Sequence, residues 1–157
     1  MKTKLNVFCV LMMLLMVVDV IVAMVVNAND MAQGFSDGWK DGASGVALTG
    51  GEVFAMLLTP VVLGFAIAAI ICIVRFILNV NRDEVFTQKN VSLLRWFGID
   101  MIVAMASCML MNLAANFSAG DEWTNMIEGM IGGIFALIMA EAFCIGIKLQ
   151  EEQNLTI

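Results

Sequence analysis

The chain has 157 residues, of which 61% are hydrophobic and only 14% are charged, and its mean hydropathy is +0.93. Soluble domains are about 45 to 50% apolar and about 25% charged, so this composition excludes an ordinary soluble protein and predicts a membrane protein. The net charge of −6 and the lack of a basic stripe argue against direct nucleic-acid binding, which needs cations to neutralise phosphates.

The first apolar block, residues 5–26, predicts a transmembrane helix. At about 1.5 Å per residue it is long enough to cross a hydrocarbon layer of about 30 Å. Its many Leu, Ile, Val and Phe residues outweigh the insertion cost of Asp19. A cleaved signal peptide is the alternative, because Lys2 and Lys4 form a positive N-terminal region. We favour the helix, since the block is longer than the usual apolar region of a signal peptide.

The next segment, residues 27–52, is rich in glycine and is predicted to be an outer loop. Phe35 and Trp39 are one helical turn apart within it, which favours a short helix lying on the outer membrane interface. Three further apolar blocks predict helices at about 53–78, 96–117 and 126–147, followed by a polar tail over 148–157.

The connector between the second and third predicted helices, residues 79–95, carries signals for an ordered turn. Thr87 is a good N-cap, so a helix is predicted to start near Gln88 and to continue into the third span. Phe86, just before the cap, is predicted to pack against Val91 as a hydrophobic staple.

The fourth predicted helix carries small residues at helical spacing, which allow close backbone approach in lipid. These residues are Gly129, Gly132, Gly133, Ala136 and Ala140. We expect them to pack against the third helix of the same chain, with a second copy of the chain, and hence a homo-oligomer, as the alternative.

The distribution of Lys and Arg predicts the orientation. Of the eight, only Lys40 lies in a predicted outer segment. The other seven are Lys2, Lys4, Arg75, Arg82, Lys89, Arg95 and Lys148. Positive charge gathers on the cytoplasmic side of membranes. The expected fold is therefore an all-α integral membrane protein, a bundle of four transmembrane helices with both termini and the connector in the cytoplasm.

Acidic residues within the predicted membrane helices are the strongest indication of function, because each must find a partner or water. Counted from the cytoplasmic ends, Asp100, Glu141 and Arg75 fall in one layer, so Arg75 is predicted to pair with Asp100, Glu141 or both. The cluster can be a structural clamp or part of a proton or ion relay.

The connector and the chain's end carry a pattern that resembles a known family. Its residues are Asn81, Glu84, Val85, Phe86, Thr87, Asn90, Val91, Leu94, Arg95 and Gly98, with Glu141, Gly146, Leu149 and residues 151–157. The chain is similar here to the bacterial membrane family called domain of unknown function 2975. Asp83 stands where that family usually has Gly, and Asn154 where it usually has Asp. The resemblance implies about four helices, no assigned activity, and frequent encoding beside a small helix-turn-helix regulator.

We therefore predict a protein of the bacterial inner membrane that acts through protein interaction, in signalling or regulation, with the small regulator as a candidate cytosolic partner. The predicted docking residues are Phe86, Thr87, Asn90 and Leu94 in the connector, and Leu155, Thr156 and Ile157 in the tail. The alternative is a small transporter or channel component that uses the intramembrane acids. The sequence has no His and no nucleophile and base pair, phosphate loop or metal-ligand pattern, so we expect no enzyme, cofactor or metal site.

Overall fold

The computed structural model describes residues 2–45, 47–82, 84–115 and 120–155. The described residues form five helices: α1 (Lys2–Val26), α2 (Ala28–Ser44), α3 (Gly50–Asn81), α4 (Gln88–Ala115) and α5 (Gly120–Leu155). Four of them, α1, α3, α4 and α5, are long and apolar enough to cross a membrane. The prediction of an all-helical chain with four membrane-length helices is confirmed.

The helices divide into two compact units, residues 1–48 and residues 49–157. The predicted four-helix bundle is not confirmed, because the described residues form five helices in these two units. The additional helix, α2, replaces most of the predicted outer loop. It exposes Met31, Phe35 and Trp39 at a spacing of four residues, and the Phe35 and Trp39 rings stack with centroids 6.5 Å apart.

In the second unit α4 packs against both α3 and α5. The contacts run antiparallel: Asn79 of α3 meets Asn90 near the start of α4, and Arg95 on α4 meets Glu141 on α5. The core near the connector contains Val91, Leu94, Ala140 and Ile147.

Three of these helices extend beyond their predicted spans. α3 begins at Gly50 because Thr49 and Glu52 form a capping box, in which the Thr49 hydroxyl accepts from Glu52 N and the Glu52 carboxylate accepts from Thr49 N at 2.7 Å. α3 ends at Asn81 and α4 begins at Gln88, so the connector shortens to residues 82–87. α5 continues to Leu155 and makes most of the predicted tail helical.

The α4–α5 interface depends on two glycines that face each other. A Cβ at Gly133 would lie 2.8 Å from the Gly98 carbonyl oxygen and 2.8 Å from Ile102 Cγ1. Ala136 and Ala140, one and two turns further along α5, are 6% and 0% exposed. This approach supplies the close packing that helix association in lipid requires.

Two other glycines of the small-residue pattern differ in their surroundings. Gly129 also faces α4, where a Cβ would lie 2.8 Å from Met105 Cγ. Gly132 has nothing within 4 Å of its Cβ position and is exposed. Gly129 and Gly133 therefore lie in the α4–α5 interface, whereas Gly132 lies outside it.

Because Gly133 is enclosed and Gly132 is exposed, we expect substitution by alanine to have different effects at the two positions. Gly133→Ala should lower the free energy of unfolding by about 1 to 3 kcal/mol, because the new methyl group meets backbone that must move. Gly132→Ala is the matched control and should be neutral or slightly stabilising, since Ala favours helix more than Gly by about 1 kcal/mol. Denaturation in mixed micelles, followed by circular dichroism, measures both. Equal losses in the two variants would contradict the glycine contact.

Candidate functional site at the connector

The connector is held by one buried side chain at the start of α4. Asn90 is 0% exposed. Its Nδ2 donates to the carbonyl oxygens of Glu84 and Val85, the latter at 2.9 Å, and its Oδ1 accepts from Asn79 Nδ2 at 2.9 Å. We call Asn79, Glu84, Val85 and Asn90 the Asn90 clasp. It ties the connector backbone to α3 and α4, and it satisfies carbonyls that no helix ladder can reach.

Thr87 caps α4 beside the clasp. Its Oγ1 accepts from Asn90 N at 3.3 Å, and its carbonyl oxygen accepts from Asn90 N at 3.0 Å and from Val91 N at 3.2 Å. The start of α4 at Gln88 and the hydroxyl cap agree with the sequence prediction.

Phe86 lies against α5. Its Cε1 is 2.9 Å from the position that a Cβ on Gly146 would take, and its ring centroid is 5.4 Å from that of Phe143. Phe143 in turn contacts Phe76 of α3 edge to face, at 5.8 Å. The predicted staple partner, Val91, lies in the core. Phe86 remains 53% exposed, so one side of its ring is seated and the other is open.

Glu141 pairs with Arg95 and not with Arg75, for which the sequence predicts Asp100, Glu141 or both as partners. Arg95 Nη2 and Nε lie 2.7 Å and 3.0 Å from Glu141 Oε1, and the two side chains are 47% and 62% exposed. The antiparallel register explains the choice. The approach of Gly98 to Gly133 brings the first turns of α4 beside the second half of α5, where Glu141 lies.

Arg75 lies on α3 and Asp100 on α4. Asp100 is 4% exposed and makes no ion pair among the described residues. Among the described residues, Glu141 therefore pairs with Arg95, and neither Arg75 nor Asp100 forms an ion pair.

Arg75 also lines a cationic cleft of about 520 Å³ between α3, the connector and α4. The cleft is lined by Arg75, Leu78, Asn79, Arg82, Lys89, Ser92 and Leu93. Its three cations are exposed. In the sequence these cations indicate only the orientation of the helices. The packing of α3 against α4 brings them together around one cleft.

Two predicted docking residues are not accessible. Asn90 is wholly enclosed in the clasp, and Leu94 is 6% exposed in the core. Leu155 is the last residue of α5, while Thr156 and Ile157 lie outside the described residues. Within the described ranges, no group of three acidic or Cys side chains is placed to hold a metal ion.

Comparison with known proteins identifies a family and no activity. The family described as "Protein of unknown function (DUF2975)" matches residues 2–157, essentially the whole chain. No curated protein matches the chain, and no solved structure does. The resemblance inferred from the connector and the end of the chain is confirmed.

The Asn90 clasp predicts that substitutions which remove more of its hydrogen bonds destabilise the connector more. Asn90→Ala removes the donor to two carbonyls and the acceptor for Asn79, and should cost about 2 kcal/mol, since each unsatisfied buried polar group costs about 1 to 3 kcal/mol. Asn79→Ala removes one bond and should cost about 1 kcal/mol.

Amide hydrogen exchange over residues 82–89 should accelerate more in Asn90→Ala than in Asn79→Ala. Denaturation in mixed micelles gives the free energies. Unchanged exchange in Asn90→Ala would show that the connector is ordered by something else.

Proposed function

The chain belongs to the DUF2975 family of proteins of unknown function, and we propose that it is a non-enzymatic protein of the bacterial inner membrane. It docks a cytosolic protein on the connector between α3 and α4 and acts in signalling or regulation. The supporting observation is that the Asn90 clasp holds the backbone at Glu84 and Val85, while the Glu84 and Phe86 side chains are exposed.

The charge distribution supports the orientation. Arg82 lies in the connector, Lys89 and Arg95 lie in the first turns of α4, and Arg75 lies in the last third of α3. With Lys2, Lys4 and Lys148, these cations favour an orientation that has the connector and both termini in the cytoplasm, by the positive-inside rule.

The connector has the physical character of a docking surface. Because the clasp orders residues 84 and 85 beforehand, a partner need not spend binding energy on fixing this backbone. The open side of Phe86 offers an aromatic contact, and aromatic side chains are enriched at interfaces. The exposed Glu84 side chain adds a charge, while its carbonyl oxygen holds the clasp.

The candidate partner is a small helix-turn-helix regulator. This choice rests on the resemblance, which implies that such a regulator is often encoded beside members of the family. A regulator held at the membrane could be released or retained in response to a signal received by the helices.

A charge reversal on the connector tests this function. Glu84→Lys leaves the backbone carbonyl and therefore the clasp in place, and should weaken binding of the purified neighbouring regulator about tenfold, or about 1.4 kcal/mol. Binding is measured by interferometry on the full chain in nanodiscs.

Asp30→Lys is the matched control: it reverses an exposed acid on α2, in the predicted outer segment, and should leave binding unchanged. If the unaltered protein does not bind the regulator, or if both variants bind equally well, the docking function is wrong.

A second candidate function, proton or ion transport, is supported by Asp100. Asp100 is a buried acidic residue on a membrane-length helix, where a carboxylate is costly, and such residues often mark ion or proton pathways. Asp100→Asn, which keeps the side-chain shape, should abolish proton-coupled flux in liposomes that contain the protein. Ser107→Ala, a buried change on the same helix without a charge, should retain most of the flux. Absence of flux with the unaltered protein would end this candidate.

A further inference from the structure

The cationic cleft collects positive charge from three parts of the hairpin. Arg75 comes from α3, Arg82 from the connector and Lys89 from the first turn of α4. Ser92 adds a hydroxyl group, and Leu78 and Leu93 add an apolar wall.

None of the three cations forms an ion pair with a described carboxylate. By contrast, the neighbouring Arg95 is paired with Glu141 at 2.7 Å. Like charges gathered around one space repel each other. An anion in the cleft would relieve this repulsion.

We propose that the cleft binds a phosphate-bearing anion, and specifically the headgroup of an anionic phospholipid. Arg guanidinium groups bind phosphate oxygens in bidentate fashion, and Lys binds them as a point charge. The Ser92 hydroxyl can donate to a further oxygen. Leu78, which is 42% exposed, and Leu93 provide a surface for the acyl chain of the lipid.

The position in the fold favours a lipid over a soluble phosphate compound. The cleft lies at the connector end of α3 and α4, both long enough to span a membrane, so it falls at the depth of lipid headgroups. On the proposed orientation this is the cytoplasmic leaflet, and basic pockets between helices on that side suit acidic headgroups. A soluble phosphate compound would use the same three cations but would leave the apolar wall without a role.

The test measures lipid binding to the full chain in a mild neutral detergent by native mass spectrometry. The probes are phosphatidylglycerol, phosphatidylcholine and inorganic phosphate, the last as a competitor. Arg75→Gln, Arg82→Gln and Lys89→Gln are compared singly and together. Lys148→Gln is the matched control, because it changes an exposed cation in the last third of α5, on the same predicted side and outside the cleft.

We expect the unaltered protein to bind phosphatidylglycerol in preference to phosphatidylcholine. Each Gln substitution in the cleft should weaken this binding about fivefold, with a larger loss in the triple variant, whereas Lys148→Gln should not. Lys89→Arg, which keeps the charge, should retain binding. Circular dichroism and unfolding of the triple variant verify that it remains folded.

Loss of phosphatidylglycerol binding in the cleft variants alone supports the site and its lipid ligand. Cleft-dependent binding of inorganic phosphate without preference for the anionic lipid keeps the phosphate chemistry and overturns the lipid assignment. Equal weakening by Lys148→Gln, or no weakening by the triple variant, overturns the site.

Discussion

The second unit depends on how a polar turn is held together between two apolar helices. Where α3 ends and α4 begins, carbonyl groups leave the helix ladders and need other donors, and near a membrane an unsatisfied group is costly. Asn90 meets this need by donating to Glu84 and Val85 and accepting from Asn79. A single carboxamide thus joins α3 to α4 and holds the backbone carbonyls of Glu84 and Val85.

The second constraint is the close approach of α4 and α5. The contact between Gly98 and Gly133 sets the register of the two helices, and several side-chain contacts follow from it. In this register Arg95 reaches Glu141, and Gly146 leaves room for the ring of Phe86. A larger residue at Gly98 or Gly133 would separate α4 from α5, and would therefore displace both the Arg95–Glu141 ion pair and the contact of Phe86 with α5.

Local features of this chain could be predicted from its sequence, while contacts between helices could not. The membrane-length helices follow from long apolar runs, and the start of α4 follows from Thr87, because an N-cap acts within one turn. The partner of Glu141 could not be predicted, because counting depth from helix ends places Arg75 and Arg95 at similar levels and says nothing about which face each occupies.

The other differences have separate causes. The capping box of Thr49 and Glu52 is a local signal for the start of α3, which the apolar block from residue 53 does not include. The spacing of Phe35 and Trp39 indicates a short helix, and α2 is longer than that spacing alone indicates. Leu94 belongs to the core because of the surface that α5 places over it, which no local pattern contains.

The proposed docking surface and the cationic cleft both include residues of the connector, but they lie on different sides of it. Phe86 faces α5, whereas Arg82 and Lys89 face the cleft beside α3, so a bound anion need not compete with a docked protein. An anion that binds only the closed hairpin would stabilise it further, by a free energy that rises with the ratio of its concentration to its dissociation constant. Since the Asn90 clasp already closes the hairpin, the anion adds to an ordered connector and does not create it. Docking on the connector should therefore respond weakly to the lipid headgroup while the clasp is intact, and strongly once Asn90 is removed.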